Sequence, residues 1–140
     1  MNIALLGFGV VGRGVYDLTL NRSDINVKYV LCLEDVQLPG VIATRDYQQI
    51  LSDESVDTVV EAMGGLHPAW DFVKAAIEHG KNVVTSNKAM ACTFYDELLP
   101  LSRKRRSSSA APPLWAAASA GSASWAGFIA AKPLSRLAAL

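Results

Sequence analysis

Residues 2–12 of the chain, NIALLGFGVVG, decide the fold. The first five form a compact apolar run, which is typical of a buried strand in a parallel sheet. Gly7, Gly9 and Gly12 follow with the spacing G-x-G-x-x-G, and the pattern from about Val10 to Leu20 indicates a helix directly after the first two glycines. A strand that turns on glycines into a helix predicts the first unit of an α/β sheet.

The same alternation of short apolar runs and helical patterns continues to about residue 106. The predicted strands are Asn2–Leu6, Val27–Leu33, Thr58–Ala62 and Asn82–Thr85. Four helices are predicted. The first is Val10–Leu20, with Val11, Val15 and Leu18 facing the core, and the second is Tyr47–Leu51. The third is opened by Pro68 and closed by Gly80, and the fourth runs from Lys88 toward Arg106 with a break or kink near Pro100. This order predicts an α/β fold, a Rossmann-like parallel sheet with helices on both faces.

The glycine turn predicts a site for the phosphates of a dinucleotide. Gly7 would permit the tight turn, Gly9 the close approach of a pyrophosphate, and Gly12 close packing of helix on strand. The start of the helix would offer free N–H groups and the positive end of its dipole. The candidate cofactor-binding residues here are Gly7, Phe8, Gly9, Val10, Val11 and Gly12. A glycine-rich turn that binds nothing remains the alternative.

A dinucleotide also needs a group that binds ribose at the end of the second strand, and Glu34 stands there, 22 positions after Gly12. A carboxylate accepts hydrogen bonds from ribose hydroxyls and repels a 2′-phosphate, so Glu34 favours NAD over NADP. The alternative is a solvated acid at a strand end.

Two further loops follow strand ends, where parallel sheets bind ligands. In the first, Met63 precedes the paired glycines Gly64 and Gly65, which would let the backbone approach a flat ring. The alternative is a flexible connection.

The second loop contains Ser86, Asn87 and Lys88. Ser86 or Asn87 is a suitable N-cap. Lys88 falls in the first helical turn, where a cation opposes the helix dipole, so a cofactor or substrate oxygen is a candidate partner. A solvated surface lysine is the alternative.

Composition excludes several classes. Thirteen basic and thirteen acidic residues balance, which gives no electrostatic reason to bind nucleic acid or an acidic membrane. Cys32 and Cys92 are too few for a disulfide scaffold, which favours a reduced, cytoplasmic setting, and no secretory signal is visible. His67 and His79 lack the spacing of a metal pair, so no metal site is predicted.

Three segments together resemble the amino-terminal NAD(P)-binding domain of homoserine dehydrogenases: residues 7–12, Val60–Gly65 and above all Val83–Ala89. The resemblance covers roughly residues 1 to 100. It implies an oxidoreductase of threonine and methionine biosynthesis that transfers hydride between NAD(P)H and aspartate 4-semialdehyde to give homoserine. It also implies that Lys88 is one of two catalytic lysines beside the nicotinamide and the substrate.

The chain departs from the family in two ways. Many relatives have an arginine near Glu34, where this chain has acid, which again favours NAD. The family's substrate domain, with the second lysine, acidic substrate ligands and most of the dimer interface, is not found, and Lys132 sits in no matching motif. This chain is therefore expected to be a fragment of such an enzyme that is inactive alone. A non-enzymatic NAD-sensing module, which has no use for Lys88, and another small-substrate NAD(P)-dependent dehydrogenase are the alternatives.

A change of composition divides the chain into a dinucleotide-binding domain, residues 1–106, and an aberrant tail, residues 107–140. All thirteen acids lie at or before Glu97, and alanine and serine make up 19 of the last 34 residues. This composition is that of GC-rich codons read out of frame, and synonymous codons for Leu114–Ser119 permit an alternate reading Val-Gly-Gly-Gly-Ile, a turn found in the family. The hypothesis is a frame-shifted, irregular or disordered tail. The alternative is a membrane segment at residues 110–131.

Overall fold

One parallel sheet organises the computed structural model, which describes residues 1–106 and 115–117, with side chains up to Leu101. Its strands are β1 (Asn2–Leu6), β2 (Asn26–Leu31), β3 (Ile42–Thr44), β4 (Thr58–Glu61), β5 (Asn82–Thr85) and β6 (Trp115–Ala117). They lie in the order β3-β2-β1-β4-β5-β6. This is the order of a doubly wound dinucleotide-binding sheet, which binds ligands where the order reverses, between β1 and β4. The predicted Rossmann-like sheet is confirmed.

The described helices are α1 (Val10–Thr19), α2 (Tyr47–Ser52), α3 (Ala69–Glu78), α4 (Lys88–Thr93) and α5 (Tyr95–Arg106). The break expected near Pro100 is wrong, because the interruption falls at Phe94 and Pro100 lies inside α5. Phe94 stacks on Trp70 of α3, with ring centroids 4.7 Å apart. This tertiary contact holds Phe94 at the junction between the two helices.

The inward face of α1 also differs from the prediction. Val11 and Leu18 are half exposed, whereas Gly12 and Thr19 are buried and Val15 packs against the core. Gly12 lies directly against the backbone of Gly7, and this contact sets the rotation of the helix. The stripe that begins at Gly12, not at Val11, therefore faces the sheet.

Alternate residues of β1 enter two separate cores. Ala4 and Leu6 pack in a cluster with side chains of α2, α3, α4 and α5. Ile3 and Leu5 point to the opposite face, where Phe8 and α1 cover the sheet. The prediction of helices on both faces is confirmed.

The tail contributes only the backbone of Trp115–Ala117 to the described residues. These residues pair in parallel with β5, in a register that places Ala116 beside Val84. The predictions of a frame-shifted, irregular tail and of a membrane segment otherwise fall outside the described residues. Among those residues, no helix has the length and apolar character needed to cross a membrane.

Candidate functional site

Gly7 lies where β1 turns toward α1. Its φ is +91°, and its N–H donates to the carbonyl of Leu31 at 2.9 Å. A Cβ at this position would lie 3.0 Å from the carbonyl oxygen of Ala62 and from the Cα of Met63. Both the left-handed backbone and the contact with the end of β4 therefore require glycine.

Gly9 and Gly12 differ in what surrounds them. A Cβ on Gly12 would overlap the carbonyl oxygen of Gly7, so the helix packs there with no room for a side chain. A Cβ on Gly9 would meet nothing within 4 Å. Gly9 is also the N-cap of α1, no side chain caps that helix, and its first turn holds no acid. The amino end of α1 is thus an open, electropositive surface that suits an anion.

A cleft of about 650 Å³ opens beside this turn, within the usual size of a small-molecule site. The residues that line it are Gly7, Phe8, Gly9, Val10, Arg13, Leu31, Cys32, Leu33, Glu34, Arg45, Ala62, Met63, Pro68 and Phe72. The fold thus brings Gly7–Val10, Glu34 and Met63 to one cavity. Val11, Gly12, Gly64, Gly65, Ser86, Asn87 and Lys88 are not among its lining residues.

Two arginines that sequence reasoning missed line the cleft together with Glu34. Arg13 lies 3.7 Å from the Glu34 carboxylate and donates through Nε to the carbonyl of Phe8 at 3.1 Å. Arg45 pairs with Asp35 at 3.3 Å. Arg13 follows the last glycine of the motif by one position, which is a usable signal, whereas Arg45 follows β3, a strand that was not predicted.

Glu61 is a second residue that sequence reasoning missed. It ends β4 and is fully buried. Its Oε1 accepts the N–H groups of Met63 at 2.8 Å and of Gly64 at 3.2 Å, and its Oε2 accepts the hydroxyl of Thr85. A charged residue inside an otherwise apolar strand was the available signal. Gly64 and Gly65, which follow Met63, have φ values of +77° and +73°. Positive φ values of this size favour glycine at both positions.

Asn87 connects the two loops at the ends of β4 and β5. Its Oδ1 accepts the N–H of Met90 at 3.0 Å, which confirms Asn87 as an N-cap, and its Nδ2 donates to the carbonyl of Gly65. Lys88 follows directly, at the first position of α4, and is exposed. Within the described residues, the Lys88 side chain makes no hydrogen bond or ion pair.

The cysteines differ from one another. Cys32 lines the cleft and donates to the carbonyl of Glu34 at 3.2 Å. Burial raises the pKa of the Cys32 thiol, so the thiolate is disfavoured. Cys92 is exposed.

In the part of the chain that the structure describes, no group of three His, Cys, Asp or Glu residues could hold a metal ion.

Comparison with known proteins identifies the family. The sequence profile for the family "Homoserine dehydrogenase, NAD binding domain" matches residues 7–110, which is most of the chain. The chain belongs to this family. The homoserine dehydrogenase of Methylobacillus glycogenes is 39% identical over 123 residues, covering 78% of this chain and 30% of that protein. The Synechocystis enzyme is 34% identical over 110 residues, covering 70% and 25% respectively.

Solved structures of homoserine dehydrogenases give the same result. The S. aureus enzyme at pH 7.5 superposes with a TM-score of 0.68 and 32% identity, over 76% of this chain and 30% of that one. The Thiobacillus denitrificans enzyme gives a TM-score of 0.65 at 27% identity, over 76% and 28%. This member of the homoserine dehydrogenase NAD-binding family thus spans less than a third of the length of these relatives. The family supports binding of NAD or NADP.

Proposed function

We propose that the cleft binds the dinucleotide with its diphosphate against the amino end of α1. The observation that carries this proposal is the contrast between Gly12, which has no room for a Cβ, and Gly9, which has open space above it. The uncapped N–H groups of the first turn supply hydrogen-bond donors for phosphate oxygens. Val10 and Leu33, 90% and 83% exposed, add apolar surface to the same cleft for a flat ring to cover.

Glu34 is proposed to accept hydrogen bonds from the adenosine ribose, which favours NAD over NADP. Its carboxylate stands at the cleft, so a 2′-phosphate bound there would meet a like charge. Arg13 lies 3.7 Å from that carboxylate and reduces the repulsion without removing it, because both groups are largely exposed.

The two loops that follow β4 and β5 are proposed to hold the nicotinamide end. Met63 already lines the cleft, and Asn87 is bonded to Gly65 of the neighbouring loop. When bound, NAD(P)H supplies a hydride for reduction of aspartate 4-semialdehyde to homoserine. Lys88 is proposed as the catalytic cation, because its exposed ammonium can donate hydrogen bonds to the substrate carbonyl oxygen and stabilise the negative charge that develops there.

The 140-residue chain is proposed to bind the cofactor without catalysing the reaction by itself. It spans 25–30% of the length of the curated homoserine dehydrogenases that it matches. Of the two lysines that the resemblance implies, the described residues supply Lys88 alone as a candidate.

The proposal is tested by measuring the Tm of the purified chain at increasing concentrations of NAD. A ligand that binds the folded state at 100 times its Kd stabilises it by about 2.7 kcal/mol, so NAD is expected to raise the Tm. Gly9→Ala is expected to weaken binding about tenfold, or about 1.4 kcal/mol, because its methyl group enters the proposed diphosphate space. Gly14→Ala is the matched control, since a Cβ there also meets nothing within 4 Å. Equal binding by both variants would contradict the proposal.

A further inference from the structure

We propose that Glu61 is a positioning residue that fixes the paired glycines and Lys88 as one unit at the nicotinamide end of the site. This inference rests on the proposed function, since it concerns the same cleft. It adds a group that touches neither the cleft nor Lys88 and that acts through the backbone of both loops.

The burial of Glu61 requires an explanation. Val59 and Val60, the two residues before it in β4, enter the two apolar cores, one on each face. Among the described residues, Glu61 is the single acidic side chain that is buried, and it is fully so. A carboxylate in such a place is stable only when hydrogen bonds replace its hydration. The Met63 and Gly64 N–H groups and the Thr85 hydroxyl supply them.

The hydrogen bonds form a closed circuit between the two loops. Thr85 donates its only hydroxyl proton to Glu61, and its oxygen accepts the N–H of Asn87 at 3.0 Å. Asn87 in turn donates to the carbonyl of Gly65, next to the glycine that Glu61 already binds. Strand pairing places Glu61 directly beside Thr85, so the circuit is anchored in the sheet.

The direction of these bonds makes an acceptor at position 61 necessary. Every bond to the Glu61 side chain is one that it accepts, and Thr85 has no second proton to give. In Glu61→Gln, the amide NH₂ would face either a backbone N–H or the Thr85 oxygen, and in the second case the Thr85 hydroxyl proton would lose its acceptor. One donor would then remain buried without a partner, which disfavours the arrangement.

Lys88 depends on this circuit through the backbone. Asn87 caps α4 through the N–H of Met90, and Lys88 is the next residue after the cap. Loss of the Thr85 bond would release both Asn87 and the loop that begins at Met63. The expected consequence is loss of the nicotinamide subsite while the diphosphate and ribose subsites at Gly9 and Glu34 remain.

Thr85→Val and Thr85→Ser form a matched pair, because the first removes the hydroxyl at nearly constant shape and the second keeps it. Each variant is titrated with NAD and with ADP-ribose, which lacks the nicotinamide. Thr85→Val is expected to weaken NAD binding about tenfold, the effect of one to two hydrogen bonds, with ADP-ribose unchanged. Thr85→Ser is expected to bind both like the original chain. An equal loss of both ligands, or no loss, overturns the inference.

Amide hydrogen exchange supplies a second measurement that needs no ligand. Thr85→Val is expected to accelerate exchange of the amides of Met63, Gly64 and Asn87, whereas Thr85→Ser is expected to leave it unchanged. Unchanged exchange of these amides in Thr85→Val overturns the inference. If the original chain binds neither nucleotide, the proposed function fails and exchange alone decides the inference. Should Thr85→Val not fold, Asn87→Asp replaces it, since it keeps the helix cap and removes the donor to Gly65.

Discussion

At the residue scale, the glycines of the β1–α1 turn carry out different tasks although they look alike in sequence. Gly7 needs a positive φ, Gly12 needs to be without a Cβ, and Gly9 and Gly14 face open space. The first two are therefore required by the fold, and a requirement at Gly9 can only come from a ligand.

Gly12→Ala is expected to destabilise the chain by about 1–3 kcal/mol, because its methyl group overlaps the backbone carbonyl of Gly7. Gly14→Ala, two residues along the same helix, is expected to be neutral or to stabilise by up to about 1 kcal/mol through helix propensity. Urea unfolding of the two variants measures the difference. Equal stabilities would show that α1 shifts away from β1 at little cost.

Neutralising Glu34 is expected to change the choice of cofactor. In Glu34→Gln the like charge facing a 2′-phosphate is removed and Arg13 loses its ion pair. The ratio of NADP to NAD affinity is then expected to rise about tenfold, or about 1.4 kcal/mol. Asp35→Asn is the control, because Asp35 is the adjacent acid, almost fully exposed and not part of the cleft lining. Calorimetric titration with both nucleotides decides; an unchanged ratio would remove Glu34 from cofactor selection.

Sequence alone located the residues whose role depends on their neighbours along the chain. Gly7, Gly12 and Glu34 stand at fixed distances from the first strand. In the structure Gly7 has a positive φ, Gly12 lies against the backbone of Gly7, and Glu34 lines the cleft. Arg45 and Glu61 could not be located in this way, because their partners lie in other segments of the chain. Asp35 holds Arg45, and Thr85 holds Glu61.

At the scale of elements, prediction succeeded where burial is strong and failed where packing decides. β1, β4 and β5 each have a buried apolar centre and were predicted within one residue. β3 is an edge strand of only three residues, none of them buried, and it was missed. The break at Phe94 and the rotation of α1 come from tertiary contacts, with Trp70 and with Gly7, that no local pattern contains.

The end of α2 is joined to β2 by a cluster around Asp53. Lys28 binds the Asp53 carboxylate at 2.6 Å, Tyr29 donates its hydroxyl at 2.9 Å, and Ser55 donates both its N–H and its hydroxyl. The bond from Lys28, followed by those from Ser55, holds the pKa of the Asp53 carboxyl well below its usual value.

This pKa shift predicts a loss of stability in acid. Because the folded pKa is depressed, Asp53 stabilises the fold above its unfolded pKa of about 3.9 and ceases to do so as the pH falls through that value toward the folded one. Asp53→Asn is expected to be less stable than the original chain at neutral pH and to approach it in strong acid. Urea midpoints across pH measure the convergence. Glu54→Gln, at the exposed neighbouring acid, is the control and is expected to show no such trend.

At the scale of the whole molecule, every residue proposed for the cofactor site lies between Gly7 and Lys88. Both helical layers that support the site come from residues 10–106, and the tail adds one three-residue strand at the far edge, beside β5. The edge strand β6 is separated from the β1–β4 switch point by β5. The site and the tail are therefore expected to be energetically separable.

A chain that ends at Arg106 tests this separation. It retains the cleft and the Glu61 circuit, so its Kd for NAD is expected to stay within about twofold of the original, a difference below about 0.5 kcal/mol. Removal of β6 leaves β5 as an unpaired edge, so exchange of its outward amides and self-association are both expected to increase. Ala116→Pro in the full chain is the matched control, because it removes one backbone donor of β6 and keeps the length. A large loss of NAD affinity on truncation would place part of the site in the tail and contradict the division at residue 106.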